Sequence, residues 1–128
     1  MLPLCSDARI AVLPWSPLAR GRLARAWDTE TPRTQNDMYV DKLFAASMES
    51  DRKVVEQVDT IAKAREVPRA QVALAWVLQK SVVTAPIVGA SKPQHLDDAL
   101  AALTLDLTES ELAQLEAPYV PHPVVGHQ

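Results

Sequence analysis

A tryptophan followed by prolines, small residues and an arginine stands near the start of the chain. Residues 14–21 read Pro-Trp-Ser-Pro-Leu-Ala-Arg-Gly, directly after a short apolar run. If that run is a strand of a parallel α/β protein, Trp15 lies at its carboxyl end, where such proteins bind ligands. The ring could then serve as a stacking platform beside backbone donors of the following loop, although a tryptophan at a strand end more often belongs to a core.

A second group, residues 89–98, follows another apolar run and reads Gly-Ala-Ser-Lys-Pro-Gln-His-Leu-Asp-Asp. Its small residues let the backbone come close to a ligand, and Pro93 suits the first position of a helix. A helix start offers unpaired amide hydrogens and a partial positive charge, to which Ser91 and Lys92 add donors. The pattern therefore indicates an anion or phosphate site, or else ordinary helix capping.

Two short apolar runs predict the buried strands that would position these groups. They cover residues 10–15, stopped by Pro14 and Pro17, and residues 82–88, bounded by Gly89. Continuous apolar strands separated by helices indicate parallel strands of an α/β fold. Two strands alone do not make a stable sheet, so we expect a further strand from this chain or from elsewhere.

Apolar spacing and capping residues predict four helices. Ser50 is the expected cap of the first, and the second is apolar nearly all round, so it must be buried on both sides. The third begins at Pro93, and Thr108 opens a capping box for the fourth. The predicted bounds are 50–66, 69–80, 93–103 and 108–117, with a long loop at 16–36 and an irregular, proline-rich tail at 118–128.

The composition is that of a folded chain with no attraction for polyanions. Of the 128 residues, 48% are hydrophobic and 23% are charged, and the net charge is −3 at pH 7. These values exclude a disordered tail and disfavour nucleic acid or an anionic membrane as partners. The single cysteine cannot form an internal disulfide, and the amino terminus does not read as a signal peptide, so we expect a cytoplasmic location.

Together the two groups resemble the last quarter to third of the aldo-keto reductases, with bacterial reductases similar to the potassium-channel β subunits as the group most resembled. Four blocks in the family's order carry the resemblance: residues 12–21 (VLPWSPLARG), 69–76 (RAQVALAW), 86–92 (PIVGASK) and 118–126 (PYVPHPVVG). The resemblance implies a partial (β/α)8 TIM barrel, in which the chain supplies about strands seven and eight, their helices and the tail. A complete barrel needs about 250 residues, so residues 1–128 are expected to form a single incomplete domain, from a truncated gene product or a partial sequence.

The resemblance also implies NADPH as cofactor and hydride transfer to an aldehyde or ketone. The residues expected at the cofactor are Trp15 on the nicotinamide, Ser16, Pro17, Leu18 and Arg20 along the pyrophosphate, Arg33 closing over the cofactor, Ser91 and Lys92 at the 2′-phosphate, and His95 and Asp98 at the adenine ribose end. The cations favour NADPH over NADH, because a 2′-phosphate gains from charged donors. His95 and Ala99 replace residues typical of the family, so one adenine contact is expected to be missing.

The family's catalytic Asp, Tyr, Lys and His precede the segment that this chain matches. We therefore assign no catalytic residue and no metal ligand, and we expect the chain to be an NADP(H)-binding part of an oxidoreductase that is inactive alone. The alternative is a noncatalytic nucleotide-binding or assembly module that pairs with itself or a second chain through exposed strand edges. A mostly helical interaction domain without a ligand is a third possibility.

Overall fold

The structure, a computed structural model, describes residues 1–29 and 47–121. In these two ranges the α-helices are α1 (Leu2–Asp7), α2 (Met48–Arg65), α3 (Arg69–Leu78), α4 (Pro93–Ala101) and α5 (Glu109–Glu116), with 3₁₀ segments at Ala19–Ala24 and Ala102–Thr104. No helix in the described ranges is long and apolar enough to cross a membrane.

Helix α3 is the centre of the packing. It contacts α2, α4 and both 3₁₀ segments. Its buried residues are Val72, Ala73, Leu74, Ala75 and Val77. The prediction that this helix is buried on both sides is confirmed, because a helix without a polar face can bury its surface only between other elements.

Helices α2 and α5 complete the core around α3. Val58, Ile61 and Ala62 of α2 and Leu115 of α5 are buried against it, together with Leu107 just ahead of α5. Gln79 fixes the segment before α5, because its side-chain amide donates to the Leu107 carbonyl at 3.0 Å and accepts from the Leu107 amide at 3.1 Å. A side chain thus makes the pair of hydrogen bonds that a neighbouring strand would make.

The start of α2 differs from the predicted cap at Ser50. The helix begins at Met48 with Ser47 as its N-cap residue, and Ser50 lies in the first turn, where its hydroxyl donates to the Ser47 carbonyl at 2.8 Å. The buried Ser47 hydroxyl donates to Asp51 at 2.7 Å. The helix ends as predicted before Pro68, with Glu66 left-handed at φ 54°.

The capping box of α5 is confirmed and is tied to α2 by an ion pair. The Glu111 amide donates to Thr108 Oγ1 at 3.3 Å, and the Thr108 amide donates to Glu111 Oε2 at 2.7 Å. Arg65 of α2 donates through Nε and Nη2 to the two oxygens of the same carboxylate, each at 2.6 Å. These hydrogen bonds lower the pKa of Glu111 to about 2, and the bond from Arg65 has the largest effect.

The prediction of two buried strands is wrong for the described residues. In their place, two isolated parallel bridges join Val12 to Val83 and Trp15 to Ile87. Leu13 and Ile87 are 54% and 52% exposed. The parallel direction is as expected, but a buried strand needs neighbours on both edges, and neither described range supplies a third.

Other elements follow the sequence patterns more closely. Helix α4 begins at Pro93 as predicted, and its expected end at Leu103 falls in the 3₁₀ segment that continues it. Helix α1 was not predicted, since only six residues form it. Of the predicted tail, residues 119–121 are irregular and residues 122–128 lie outside the described part of the chain.

Candidate functional site

The two parallel bridges bring the two sequence groups to one edge of the molecule. The Thr84 amide donates to the Val12 carbonyl at 2.8 Å, and the Ile87 amide donates to the Pro14 carbonyl at 2.9 Å. Because the two segments run in the same direction, their carboxyl ends lie side by side. Trp15 is paired with Ile87. Ile87 stands two residues before Gly89, where the second group begins.

Trp15 lies on the surface at this edge. Its side chain is 70% exposed. The alternative of a core tryptophan is excluded by this exposure. An open indole face beside polar residues can stack on a planar ring of a ligand.

The loop after Trp15 is a tight turn that uses its own backbone donors. The Ala19 amide donates to the Ser16 carbonyl at 2.9 Å and the Gly21 amide to the Leu18 carbonyl at 2.8 Å. The Arg20 amide donates to Ser16 Oγ at 3.1 Å. The backbone donors at positions 19–21 are thus already engaged within the turn and are not free to bind a ligand.

Left-handed backbone makes this turn possible. Ser16, Ala19, Arg20 and Gly21 all have positive φ, of 52°, 47°, 56° and 91°. Ser16 both adopts this conformation and accepts the Arg20 amide, so its first role is to shape the turn. A hydroxyl that accepts one hydrogen bond can still donate another. Pro17, Leu18 and Arg20 are partly buried around it.

The second group is open at the start of α4. Gly89, Ala90, Ser91 and Lys92 are exposed. Lys92 is the N-cap residue with extended backbone, and no side chain of the described ranges caps this helix. Ordinary side-chain capping is therefore absent at this exposed helix start. Pro93 has no amide hydrogen and the His95 amide donates to the Lys92 carbonyl at 3.0 Å, so an anion here would be held mainly by the Gln94 amide and the side chains of Ser91 and Lys92.

His95 and Asp98 lie one turn further along α4. His95 is exposed, with Nδ1 3.4 Å from Ser91 Oγ. Asp98 is partly buried, and its Oδ1 accepts from Gln94 Nε2 at 3.2 Å and from Gln71 Nε2 of α3 at 3.0 Å. Sequence reasoning missed Gln71, which precedes the apolar run 72–78 of α3, because nothing in the sequence signals its contact with Asp98.

Of the ten residues expected at the cofactor, nine are described, and Arg33 lies outside the described residues. The bridges bring the Trp15 group and the Ser91 group to the same edge. Within residues 1–29 and 47–121, no group of three or more His, Cys, Asp or Glu side chains is placed to hold a metal ion.

An apolar cavity of about 260 Å³ lies behind this edge, between α3, residues 84–88 and α4. Its lining is Leu74, Leu78, Thr84, Ala85, Pro86, Val88, Ala99 and Leu103. Thr84 is the polar member, and its hydroxyl already accepts from the Val12 amide at 3.2 Å. A ligand pocket has a few convergent polar groups that fix orientation, so we interpret this cavity as incomplete packing.

Comparison with known proteins gives consistent matches. The model of the Aldo/keto reductase family matches residues 1–119. The chain is 39% identical over 123 residues to the versiconal hemiacetal acetate reductase of Aspergillus parasiticus, covering 94% of this chain and 36% of that protein. It is 39% identical over 129 residues to an aldo-keto reductase of Fusarium vanettenii, covering 99% of this chain and 34% of that protein.

A solved structure is also similar. The glycerol dehydrogenase of Gluconobacter oxydans superposes with a TM-score of 0.69 at 26% sequence identity, covering 98% of this chain and 39% of that one. The chain thus spans little more than a third of the length of the relatives that it matches.

Proposed function

Because the chain belongs to the Aldo/keto reductase family, we propose that it supplies the NADP(H)-binding edge of an oxidoreductase that reduces aldehydes or ketones. The family and the similar solved structure support an α/β fold. In this proposal the two bridged segments correspond to strands seven and eight of a TIM barrel, and the protein is cytoplasmic.

One observation carries the proposal: the parallel bridges bring an exposed tryptophan and an open helix start to the same edge. An extended dinucleotide has a planar ring at one end and anionic phosphates along its length. The exposed ring of Trp15 suits the planar ring of the dinucleotide. The accessible start of α4, with Lys92, suits its phosphates.

The residues of the edge fit the parts of NADPH unequally. Trp15 would stack on the nicotinamide, and Ser91 and Lys92 would hold the 2′-phosphate through a hydroxyl and a cation. Asp98 would accept from the adenosine hydroxyls. Ser16 would act mainly by holding its turn, since its Oγ already accepts from the Arg20 amide.

Arg33 remains a proposed part of the same site on the sequence resemblance alone. When bound, NADPH supplies the hydride. We assign no residue of this chain a proton-transfer role, so we expect the 128-residue chain to bind the cofactor without turnover.

The test is a titration of the purified chain with NADPH, followed by tryptophan emission. The chain has three tryptophans, so Trp15→Phe and the control Trp27→Phe are compared. We expect saturable quenching in the natural chain and in Trp27→Phe, and its loss in Trp15→Phe. Lys92→Met should weaken NADPH binding about tenfold, the worth of one charge-assisted hydrogen bond, and leave NADH binding nearly unchanged.

Two results would contradict the proposal. Absence of any saturable NADPH binding would remove the cofactor role and favour a helical interaction domain. Steady NADPH oxidation with a test aldehyde would contradict the expected inactivity of the isolated chain.

A second candidate function is assembly with another chain, favoured by exposed apolar side chains on the bridged segments, on α4 and on the 3₁₀ segment that follows it. These are Ile10, Leu13, Ile87, Leu96, Leu100 and Leu103. Contiguous exposed apolar surface is typical of interaction sites. A single monomeric species in sedimentation would count against this candidate.

A further inference from the structure

We propose that Gln71 is a positioning residue for the adenosine half of the cofactor, acting through Asp98. The inference rests on the proposed function, since Asp98 is one of the residues expected at that end of NADPH. It starts from the hydrogen bond between Gln71 Nε2 of α3 and Asp98 Oδ1 of α4, at 3.0 Å.

Gln71 lies on α3, the helix at the centre of the packing. It lies in the first turn of α3, where its amide donates to the Pro68 carbonyl at 3.0 Å. The next four residues along the helix are all buried. Because the closely packed helix fixes the backbone of Gln71, the side-chain amide of Gln71 can hold Asp98 in a defined position.

Helix α4, in contrast, has few apolar contacts to fix its rotation. It has no buried residue, and Leu96 and Leu100 are 54% and 56% exposed. Asp98 is one of its two partly buried positions near its middle, beside Ala99. The polar contact from α3 is therefore a main determinant of which way this helix faces.

The rotation of α4 decides where the proposed cofactor residues lie. His95 and Asp98 are three residues apart and share one face of the helix. Ser91 Oγ, next to the N-cap residue, lies 3.4 Å from His95 Nδ1 and so belongs to the same side. A helix turned away from Gln71 would move these groups together, whereas Trp15 on the bridged segments would stay where it is.

The hydrogen bonding of Asp98 leaves room for a ligand. Gln71 and Gln94 both donate to Oδ1. An ionised carboxylate offers about four lone-pair positions on its two oxygens. Asp98 can thus be held by two glutamine amides and still accept a hydrogen bond from an adenosine hydroxyl or amine.

The experiment compares Gln71→Met with Gln79→Met. Both replace a hydrogen-bonding glutamine of the α3 region by an apolar side chain of similar length. Gln71 is partly buried and Gln79 is exposed, and Gln79 bonds to Leu107 instead of to α4. The affinity for 2′,5′-ADP, which carries only the adenosine half, is measured by calorimetry. Emission quenching of Trp15 at saturating NADPH reports the nicotinamide end.

We expect Gln71→Met to bind 2′,5′-ADP about tenfold more weakly, the equivalent of one hydrogen bond to a charged group. Its quenching amplitude at saturating NADPH should equal that of the natural chain. Gln79→Met should keep the 2′,5′-ADP affinity within about twofold, and thermal unfolding of both variants measures how much stability each one loses. If Gln71→Met does not fold, Gln71→Asn, which shortens the amide by one methylene, replaces it.

Two outcomes overturn the inference and are distinguishable from each other. If the natural chain binds 2′,5′-ADP and the Gln71 and Gln79 variants bind it equally well or equally poorly, Gln71 has only a structural role, while the proposed function stands. If the natural chain binds neither 2′,5′-ADP nor NADPH, the proposed function fails and the inference fails with it.

Discussion

At the scale of single residues, the two glycines of the site have different requirements. Gly21 has a φ of +91°, and a Cβ added there would lie 3.0 Å from Arg25 Nη1. A Cβ added at Gly89 would meet no atom within 4 Å. Only Gly21 therefore needs the conformational freedom and the space that glycine provides.

We predict that Gly21→Ala lowers the free energy of unfolding by about 1–2 kcal/mol, because alanine is strained in left-handed backbone. Gly89→Ala is the matched control and should change it by less than about 0.5 kcal/mol. Urea denaturation followed by circular dichroism measures both. Equal effects of the two substitutions would contradict a strained turn at Gly21.

Single residues also mark where sequence reasoning was limited. The type of Trp15 and its place after an apolar run are visible in the sequence, and Pro93 predicts where α4 begins, but the sequence left open whether either group is exposed. The contact of Gln71 with Asp98 was not predictable, because 27 residues separate them and only the packing of α4 on α3 brings them together. The hydrogen bond from the Arg20 amide to Ser16 Oγ was not predictable either, because it depends on backbone angles that the sequence does not display.

At the scale of elements, one carboxylate joins two helices. Glu111 completes the capping box of α5 and also accepts from Arg65 of α2. The Arg65 side chain extends the link, because its Nη2 donates to the Asp106 carbonyl at 3.3 Å. The ionised form of Glu111 is therefore the form that holds α5 on α2.

This link predicts a specific dependence of stability on pH. The pKa of Glu111 is about 2 in the folded chain against an ordinary 4.5. The contribution of the ionised Glu111 carboxylate to the free energy of unfolding is thus complete above about pH 4.5. It is lost as the pH falls from there toward 2. Glu111→Gln should lower the free energy of unfolding near neutral pH by about 1–2 kcal/mol, allowing for solvent screening, and should flatten the decline in acid.

Urea denaturation at a series of pH values checks this prediction. Glu109→Gln, which removes an exposed carboxylate from the same turn, is the control and should keep the acid decline. Stability curves of the natural chain and Glu111→Gln that run parallel through the acid range would show that Arg65 does not favour the ionised carboxylate.

Helices were easier to predict than strands for a physical reason. The hydrogen bonds of α3 and α5 close within the helix, and Thr108 and Glu111 carry the capping signal within four residues. The segments at 10–15 and 82–88 have the apolar composition of strands, but each needs a neighbour to bond with. Composition therefore predicted their parallel direction but not that none of their residues would be fully buried.

At the scale of the whole molecule, the bridged segments present apolar side chains to solvent. Leu13 is 54% exposed and lies between the two bridges, and Ile87 is 52% exposed. We predict that the purified chain associates as its concentration rises, because burying such side chains is favourable by about 25 cal/mol for each Å².

Leu13→Glu tests this surface, with Ala11→Glu as the control that adds the same charge to an exposed position of the same segment. Sedimentation velocity over a range of concentrations should show weaker association for Leu13→Glu than for Ala11→Glu. Monomers at all concentrations of the natural chain, or equal effects of the two variants, would contradict association through this surface.

The two bridges also have a consequence for the order in which the chain folds. Val12 and Thr84, joined by hydrogen bonds, are 72 residues apart. The length-dependent cost of closing such a loop is about 4 kcal/mol. The contacts among α2, α3 and α5 require shorter closures and bury more apolar surface, so they can form first. Trp15 and the start of α4 would then be brought together in the last stage of folding, and this edge would be the first part of the structure to open in amide hydrogen exchange.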